Sequence, residues 1–316
     1  MILIAGIPSE PPVARAIEAA EERGIGHVVF DQRMHQVSEM ELSLEPSAGW
    51  RGRLICPAGE INLASLTGVY VRLMDERFLP DVAITPSSSQ ERARSARFHT
   101  IFHEWLNVAP IRVANRPRAM LSNVSKTYQS TVIRRSGFAI PETIVTNDPD
   151  KALAFVDHCA ARRDEVIYKS VSGVRSIVQT FSDADRARIG RIRWCPTQFQ
   201  RKVRGKDVRV HVIGSRTYAT MIESAATDYR YAQSQSGSDA VLKAIELPTA
   251  MADACIDLAR ALDLPFAGMD LRLREDDEAV CFEVNPSPAY SYYESRTGAP
   301  IADALVRWLA AAERLA

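Results

Sequence analysis

The sequence predicts a mixed α/β protein, with α+β character toward its carboxyl end. Three observations carry this: a strand–helix–strand opening, an alternation of short strands and helices after it, and an acidic two-strand hairpin near the end. Residues 1–7 form an apolar strand, Pro8-Ser9-Glu10-Pro11-Pro12 a turn, and 13–23 have helical spacing. Gly24-Ile25-Gly26 stops that helix, and 27–31 read as a second strand. Such a βαβ unit implies a parallel sheet. The opening invites comparison with a dinucleotide fold, but the G-x-G-x-x-G fingerprint is absent. Further short strands are expected at 54–56, 61–63 and 69–72.

A helix is expected over 90–106, after the polar turn Thr85-Pro86-Ser87-Ser88-Ser89. It carries His99 and His103 at i, i+4, but not in the order H-E-x-x-H, so a structural or surface role is expected for them. Pro110 and Pro117 mark the crossing into a second region. Helices are then expected at 122–135, 151–162, 249–262 and 301–315, and strands at 143–146, 166–170, 197–203, 207–213 and 217–222. The polar stretch 226–239 reads as a mobile loop. Three units are expected: 1–110, 111–196 and 197–316.

Composition sets limits. The 316 residues carry 39 basic and 39 acidic side chains, giving zero net charge, and 46% are apolar. That suits a soluble protein with a sizeable core and argues against nucleic acid as the main partner. The first residues lack a basic segment and read as a strand rather than a signal peptide. No apolar run is long enough to span a membrane. The five cysteines are scattered with no C-x-x-C pair, which fits a reducing cytoplasm and neither a disulfide framework nor a zinc site.

Chemistry concentrates in the hairpin. Gly268-Met269-Asp270-Leu271-Arg272-Leu273 is followed, after a charged turn, by Cys281-Phe282-Glu283-Val284-Asn285-Pro286-Ser287-Pro288. Strand alternation puts Glu283 and Asn285 on one face, and Asp270 lies on the preceding strand. Acidic residues at a hairpin are usually solvated, but an in-facing carboxylate on an apolar strand needs a partner or a metal. Three hard oxygen donors suit Mg²⁺ or Mn²⁺ held together with phosphates. Lys169 ends an apolar strand ahead of Ser172-Gly173-Val174-Arg175, a loop able to cradle phosphate although it is not a G-x-x-x-x-G-K-[ST] loop. Lys126 opens a helix. Each lysine alone is more often a surface charge.

In this order, the Lys126 region, 166–176, 199–214 and the Asp270/Glu283-Val284-Asn285-Pro286 hairpin resemble the ATP-grasp superfamily of carboxylate–amine ligases. The resemblance covers 110–316, with the amino-terminal part similar to the Rossmann-like domain that precedes the grasp. Within the superfamily the chain is similar to the peptide-modifying ligases, which include ribosomal-protein glutamate ligases and microviridin-type (graspetide) cyclases. Asn115-Arg116-Pro117-Arg118-Ala119 with Ser125-Lys126, 141–149, Ala226-Thr227-Asp228-Tyr229-Arg230 and 294–304 resemble the cyclase branch.

The resemblance implies two α+β subdomains clamping ATP. Lys126, Lys169, Ser172, Gly173 and Arg175 would meet the phosphates. Gln200, Arg201, Lys202 and Val203 would form the adenine pocket, with Asp207 nearby. Asp270, Glu283 and Asn285 would hold Mg²⁺. Arg209 would stabilise the transferring phosphoryl group or the acyl phosphate, and Arg230 would orient the substrate carboxylate. Two departures stand out: Arg201 occupies a hinge position that is often acidic, and Arg175 is large for a phosphate loop. The implied substrate is a peptide or protein carboxylate, such as a precursor peptide, and a homodimer is compatible with the family. A small-molecule ligase, a kinase and a non-catalytic nucleotide-binding module are the competing readings.

Overall fold

A computed structural model describes residues 1–46, 49–170, 178–224, 239–276 and 278–311. The amino-terminal region runs β1 (Ile2–Gly6), α1 (Pro11–Glu22), β2 (His27–Asp31), β3 (Glu39–Glu45), β4 (Gly49–Cys56), β5 (Gly59–Asn62), β6 (Gly68–Arg72), α2 (Gln90–Val108) and β7 (Arg112–Ala114). β1, β2, β6 and β7 make a parallel sheet in the order β2-β1-β6-β7, as the βαβ opening predicts. β3, β4 and β5 form a separate antiparallel sheet. β3 is absent from the sequence reading although Met40, Leu42 and Leu44 alternate with polar residues along it, and Met40 and Leu42 pack on the core.

The chain continues with α3 (Lys126–Arg135), β8 (Thr143–Thr146), α4 (Pro149–Ala161), β9 (Val166–Ser170), β10 (Gln179–Thr180) and β11 (Thr197–Arg201). These four strands pair antiparallel in the order β10-β9-β11-β8. Then follow β12 (Lys206–Ile213), β13 (Arg216–Glu223), β14 (Val241–Ile245), α5 (Thr249–Ala261), β15 (Phe266–Leu273), β16 (Ala279–Asn285), α6 (Tyr290–Thr297) and α7 (Ile301–Ala310). Their five strands are antiparallel, ordered β14-β13-β12-β15-β16. The helix expected over 122–135 starts only at Lys126, because Ser125 Oγ accepts from Tyr128 N (3.3 Å) and caps it there. The expected mobile loop at 226–239 falls, except for Asp239, outside the described residues.

Alternation builds the cores. Leu3, Ala5, Val69 and Val71 face Phe98, Phe102 and Leu106 of α2. Ile2, Ile4 and Tyr70 face Val13, Ala16 and Ala20 of α1 together with Ile301, Leu305 and Leu309 of α7. The last helix thus returns to cover the first sheet. Gly68 permits this approach, since a Cβ there would meet Leu309 O at 2.6 Å. His99 is structural, with Nδ1 2.8 Å from Ser95 O in its own helix and its ring packed on His35. In the carboxyl-terminal sheet, Val208, Val210, Val212, Met269, Leu271, Cys281 and Val284 pack against Cys255, Leu258 and Ala259 of α5. The opposite face of that sheet carries the polar residues. Among the described residues, no helix is long and apolar enough to cross a membrane.

Candidate active site

Register brings the predicted metal residues together. Arg209 pairs with Asp270, Asp270 with Glu283, and Gly268 with Asn285, so all four polar side chains share the face opposite α5. A β-bulge is essential to this. The pairing jumps from Asp270↔Glu283 to Leu271↔Cys281, leaving Phe282 as the extra residue. Without it, Cys281 and Glu283 would share a face, and burying Cys281 would drag the carboxylate into the core. With it, Cys281 and Val284 point into the core while Glu283 and Asn285 point away. The displaced Phe282 ring lies under the Arg272 guanidinium, 5.4 Å from its centroid.

Each acid has a cation. Arg209 is buried, and its Nη1 donates to Asp270 Oδ1 at 2.7 Å. Lys126 Nζ lies 3.3 Å from Glu283 Oε2 and donates to Asn123 Oδ1 at 2.7 Å. Burial alone would push the Glu283 carboxyl up, but Lys126, Lys169 and Arg209 outweigh it and hold it below its ordinary value. Lys169, at the end of β9, therefore acts electrostatically on the hairpin from the neighbouring sheet. It also lines, with Ile167, Gln198 and Gln200, a small cavity on one face of that sheet. Asn285 Oδ1 accepts from Ser287 N at 2.9 Å, which fixes the amide and leaves a second lone pair on that oxygen.

The donor chemistry fits a hard divalent cation. Among the described residues no three His, Cys, Asp or Glu side chains converge into a cage. The hairpin offers two carboxylates and an amide oxygen, so a cation there needs further oxygens from water or phosphate, the pattern typical of Mg²⁺.

The other expected residues divide. Gln200 Nε2 donates to Thr143 Oγ1 at 3.0 Å. Arg201 and Lys202 reach Asp164 (3.5 Å) and Glu165 (2.8 Å) on the loop entering β9. Their charged ends thus serve the small sheet's own edge. The charge of Arg201 is paired by Asp164. Val203 O and Asp207 Oδ1 both accept from Arg272, at 2.7 and 2.6 Å, which ties the segment after β11 to β15. Ser172, Gly173, Arg175 and Arg230 lie outside the described residues.

Several residues escaped the sequence reading. Gln129 is buried, donates to Val284 O (2.8 Å) and accepts from Val284 N (3.0 Å), so its amide extends the sheet beyond edge strand β16. Gly268 leaves room for the Arg209 guanidinium, because a Cβ there would lie 2.7 Å from Arg209 Cζ. Tyr293 lies under the Arg209 guanidinium (5.6 Å) and meets the His211 ring edge-on (5.0 Å). None has a local signature; each acquires meaning only through pairing across the chain.

Residues 124–309, more than half of the chain, match the RimK-like ATP-grasp domain. The chain belongs to the RimK-like ATP-grasp family. The matched span contains every residue of the hairpin site. This RimK-like chain is 25% identical over 195 residues to the ribosomal protein bS6–L-glutamate ligase of Escherichia fergusonii, covering 58% of this chain and 62% of that one. It is 26% identical over 217 residues to a probable α-L-glutamate ligase of Aliivibrio salmonicida, covering 65% and 68%. The chain therefore spans less than two thirds of the bS6 ligase it matches. Solved structures align over nearly its whole length. A Chryseobacterium gregarium RiPP-associated ATP-grasp ligase, in complex with ADP and a leader and core peptide, superposes with a TM-score of 0.80 at 20% identity, over 98% of this chain and 96% of that one. The ATP-grasp ligase PsnB, complexed with minimal precursor, Mg and ADP, gives 0.76 at 27% identity over 98% and 97%. The ATP-grasp fold expected from the sequence is thereby established.

Proposed function

We propose that the chain is an ATP-dependent ligase that activates a peptide or protein carboxylate as an acyl phosphate and joins it to an amine or hydroxyl. The observation that carries this reading is the convergence of Lys126, Lys169 and Arg209 on Glu283, beside Asp270 and Asn285, on one sheet face. A carboxylate is a poor electrophile because oxide is a poor leaving group. Its oxygen attacks the γ-phosphorus of ATP, and the bond to the β,γ-bridging oxygen breaks to release ADP. An amine or hydroxyl then attacks the acyl carbon, losing its proton, and inorganic phosphate leaves. Little covalent work falls to the protein, so positioning and charge neutralisation dominate.

The residues divide that work. Lys126 and Lys169 hold the phosphates. Arg209, desolvated and fixed by Asp270, faces the charge that builds on the transferred phosphoryl group. Asp270, Glu283 and Asn285 would hold Mg²⁺, whose chemistry is to neutralise the phosphate oxygens. The peptide as carboxylate carrier is supported by full-length similarity to ligases seen with leader, core or precursor peptides. The glutamate ligases among its relatives keep addition of an amino acid open as the form of the product.

Nucleotide products measured with Mg-ATP and separate pools of peptides and small metabolites test the proposal. ADP and phosphate with the peptide pool, and a peptide lighter by one water or heavier by one residue, are expected. Turnover with metabolites alone would replace the peptide by a small acid, and AMP with pyrophosphate would overturn the acyl-phosphate route.

A further inference from the structure

In parallel sheets of this kind, ligands bind in the crevice outside the carboxyl ends of the strands, where the chain order switches direction. Here that point lies between β1, which leads through α1 to β2 on one side, and β6 on the other. The protein fills it with its own chain. Arg72, the last residue of β6, donates through Nε to Glu10 Oε1 at 2.6 Å. Its Nη1 reaches Ser287 Oγ (2.8 Å), Ser287 O (3.0 Å) and Pro288 O (3.2 Å). Asn115, just past β7, donates to Pro286 O at 2.6 Å. Three successive carbonyls after Asn285 are therefore held by side chains from the amino-terminal sheet and its exit. Ser287 N in turn donates to Asn285 Oδ1 at 2.9 Å.

We infer that Arg72 is a positioning residue for the metal end of the ligase site, acting through Ser287 on the Asn285 amide. This rests on the assignment of Asn285 as a metal ligand. Glu10 orients the guanidinium, Arg72 fixes Ser287, and the Ser287 N–H sets where Asn285 Oδ1 points. The amino-terminal sheet then has a task in the chemistry through the turn it holds. Loss of a group that orients a ligand typically weakens metal binding about 10- to 100-fold.

The test uses the full chain with a non-hydrolysable ATP analogue and reads Mn²⁺ binding by water-proton relaxation, alongside Mg²⁺ titrations of ADP release. Arg72→Gln is expected to weaken Mn²⁺ binding by about tenfold or more, with analogue binding in the absence of metal changed less than about twofold. Excess Mg²⁺ should recover most of kcat. Arg72→Lys and Ser287→Ala, milder changes that keep the turn, should give smaller weakening in the same direction. Unchanged Mn²⁺ affinity in all three variants overturns the inference, as does a loss of kcat that Mg²⁺ does not restore. Asn285→Ala separates the two levels: if it weakens Mn²⁺ binding while the Arg72 and Ser287 variants do not, only the positioning role falls. If Asn285→Ala binds Mn²⁺ normally, the metal assignment falls with it.

Discussion

Arg209 and Asp270 face each other across β12 and β15, with Nη1 2.7 Å from Oδ1, the arginine buried and the aspartate 29% exposed. The pair does two things. It makes a desolvated guanidinium tolerable inside the sheet, and it aims that guanidinium at the hairpin. Asp270→Ala removes the carboxylate partner of a buried cation and is expected to cost about 1–3 kcal/mol of stability, read as a lower denaturation midpoint. Asp270→Asn keeps the shape but loses the charge, and ADP formation should drop about 100-fold or more while the chain stays folded. Full turnover in Asp270→Asn would remove Asp270 from both the metal set and the support of Arg209. Arg209→Lys is not conservative here, since an ammonium cannot reproduce the fork, and kcat should fall with little change in ATP affinity.

Lys126 holds Glu283 ionised. Burial pushes that carboxyl up, while Lys126, Lys169 and Arg209 bring it below its ordinary value of 4.5. A carboxylate with a lowered folded-state pKa contributes stability that is fully present above 4.5 and lost as pH falls through the folded value. Lys126→Met removes the first of the three cations. The acid limb of the ADP-release profile should then move to higher pH, and the acid unfolding midpoint should move the same way. An acid limb that stays in place would show that Glu283 ionisation does not govern the activity.

Legibility followed the range of each interaction. The Glu283–Val284–Asn285 alternation and the upstream Asp270 were readable because strand geometry fixes them locally. The bulge at Phe282, which keeps Cys281 in the core without taking Glu283 with it, was not readable, since it depends on which β15 residue each partner meets. The βαβ opening announced a parallel sheet, but α7 covering that sheet joins residues some 300 positions apart, with Ile4 and Leu305 in one core cluster. Gln129 resembles any helical glutamine until its amide meets Val284 on the edge of β16. β3 did carry a readable signal, since Met40, Leu42 and Leu44 alternate with Glu39, Glu41, Ser43 and Glu45, and Met40 and Leu42 pack on the core; the sequence reading passed over it.

Gly268 is a packing requirement of the Arg209 side chain. A Cβ at this position would lie 2.7 Å from Arg209 Cζ and 2.8 Å from Pro288 Cβ. The proline cannot yield without moving the turn after Asn285, so the guanidinium must. Gly268→Ala should therefore lower kcat by about tenfold or more while leaving ATP binding near normal, because the displaced group is the one proposed to act on the transition state. Equal losses in kcat and ATP affinity would instead indicate that the whole hairpin had shifted.

His211 gives the fold a pH dependence in a different range. It is fully buried on the site face beside Arg209, and neither ring nitrogen has a hydrogen-bond partner among the described residues. Burial first, and then the Arg209 charge, push its pKa well below 6.5. The unfolded chain thus takes up a proton near pH 6.5 that the folded chain refuses, so stability is full above that pH and declines as pH falls below it. His99, also lowered by burial, works in the same direction from the amino-terminal region. Melting temperatures measured between about pH 7.5 and pH 5.5 should fall with acidity. His211→Phe, which keeps a ring against Tyr293 without a titrating group, should flatten part of that slope, and His99→Phe a further part. A slope unchanged in His211→Phe would mean that the imidazole gains a proton in the folded state after all. It would then share the site with Arg209 as a second cation.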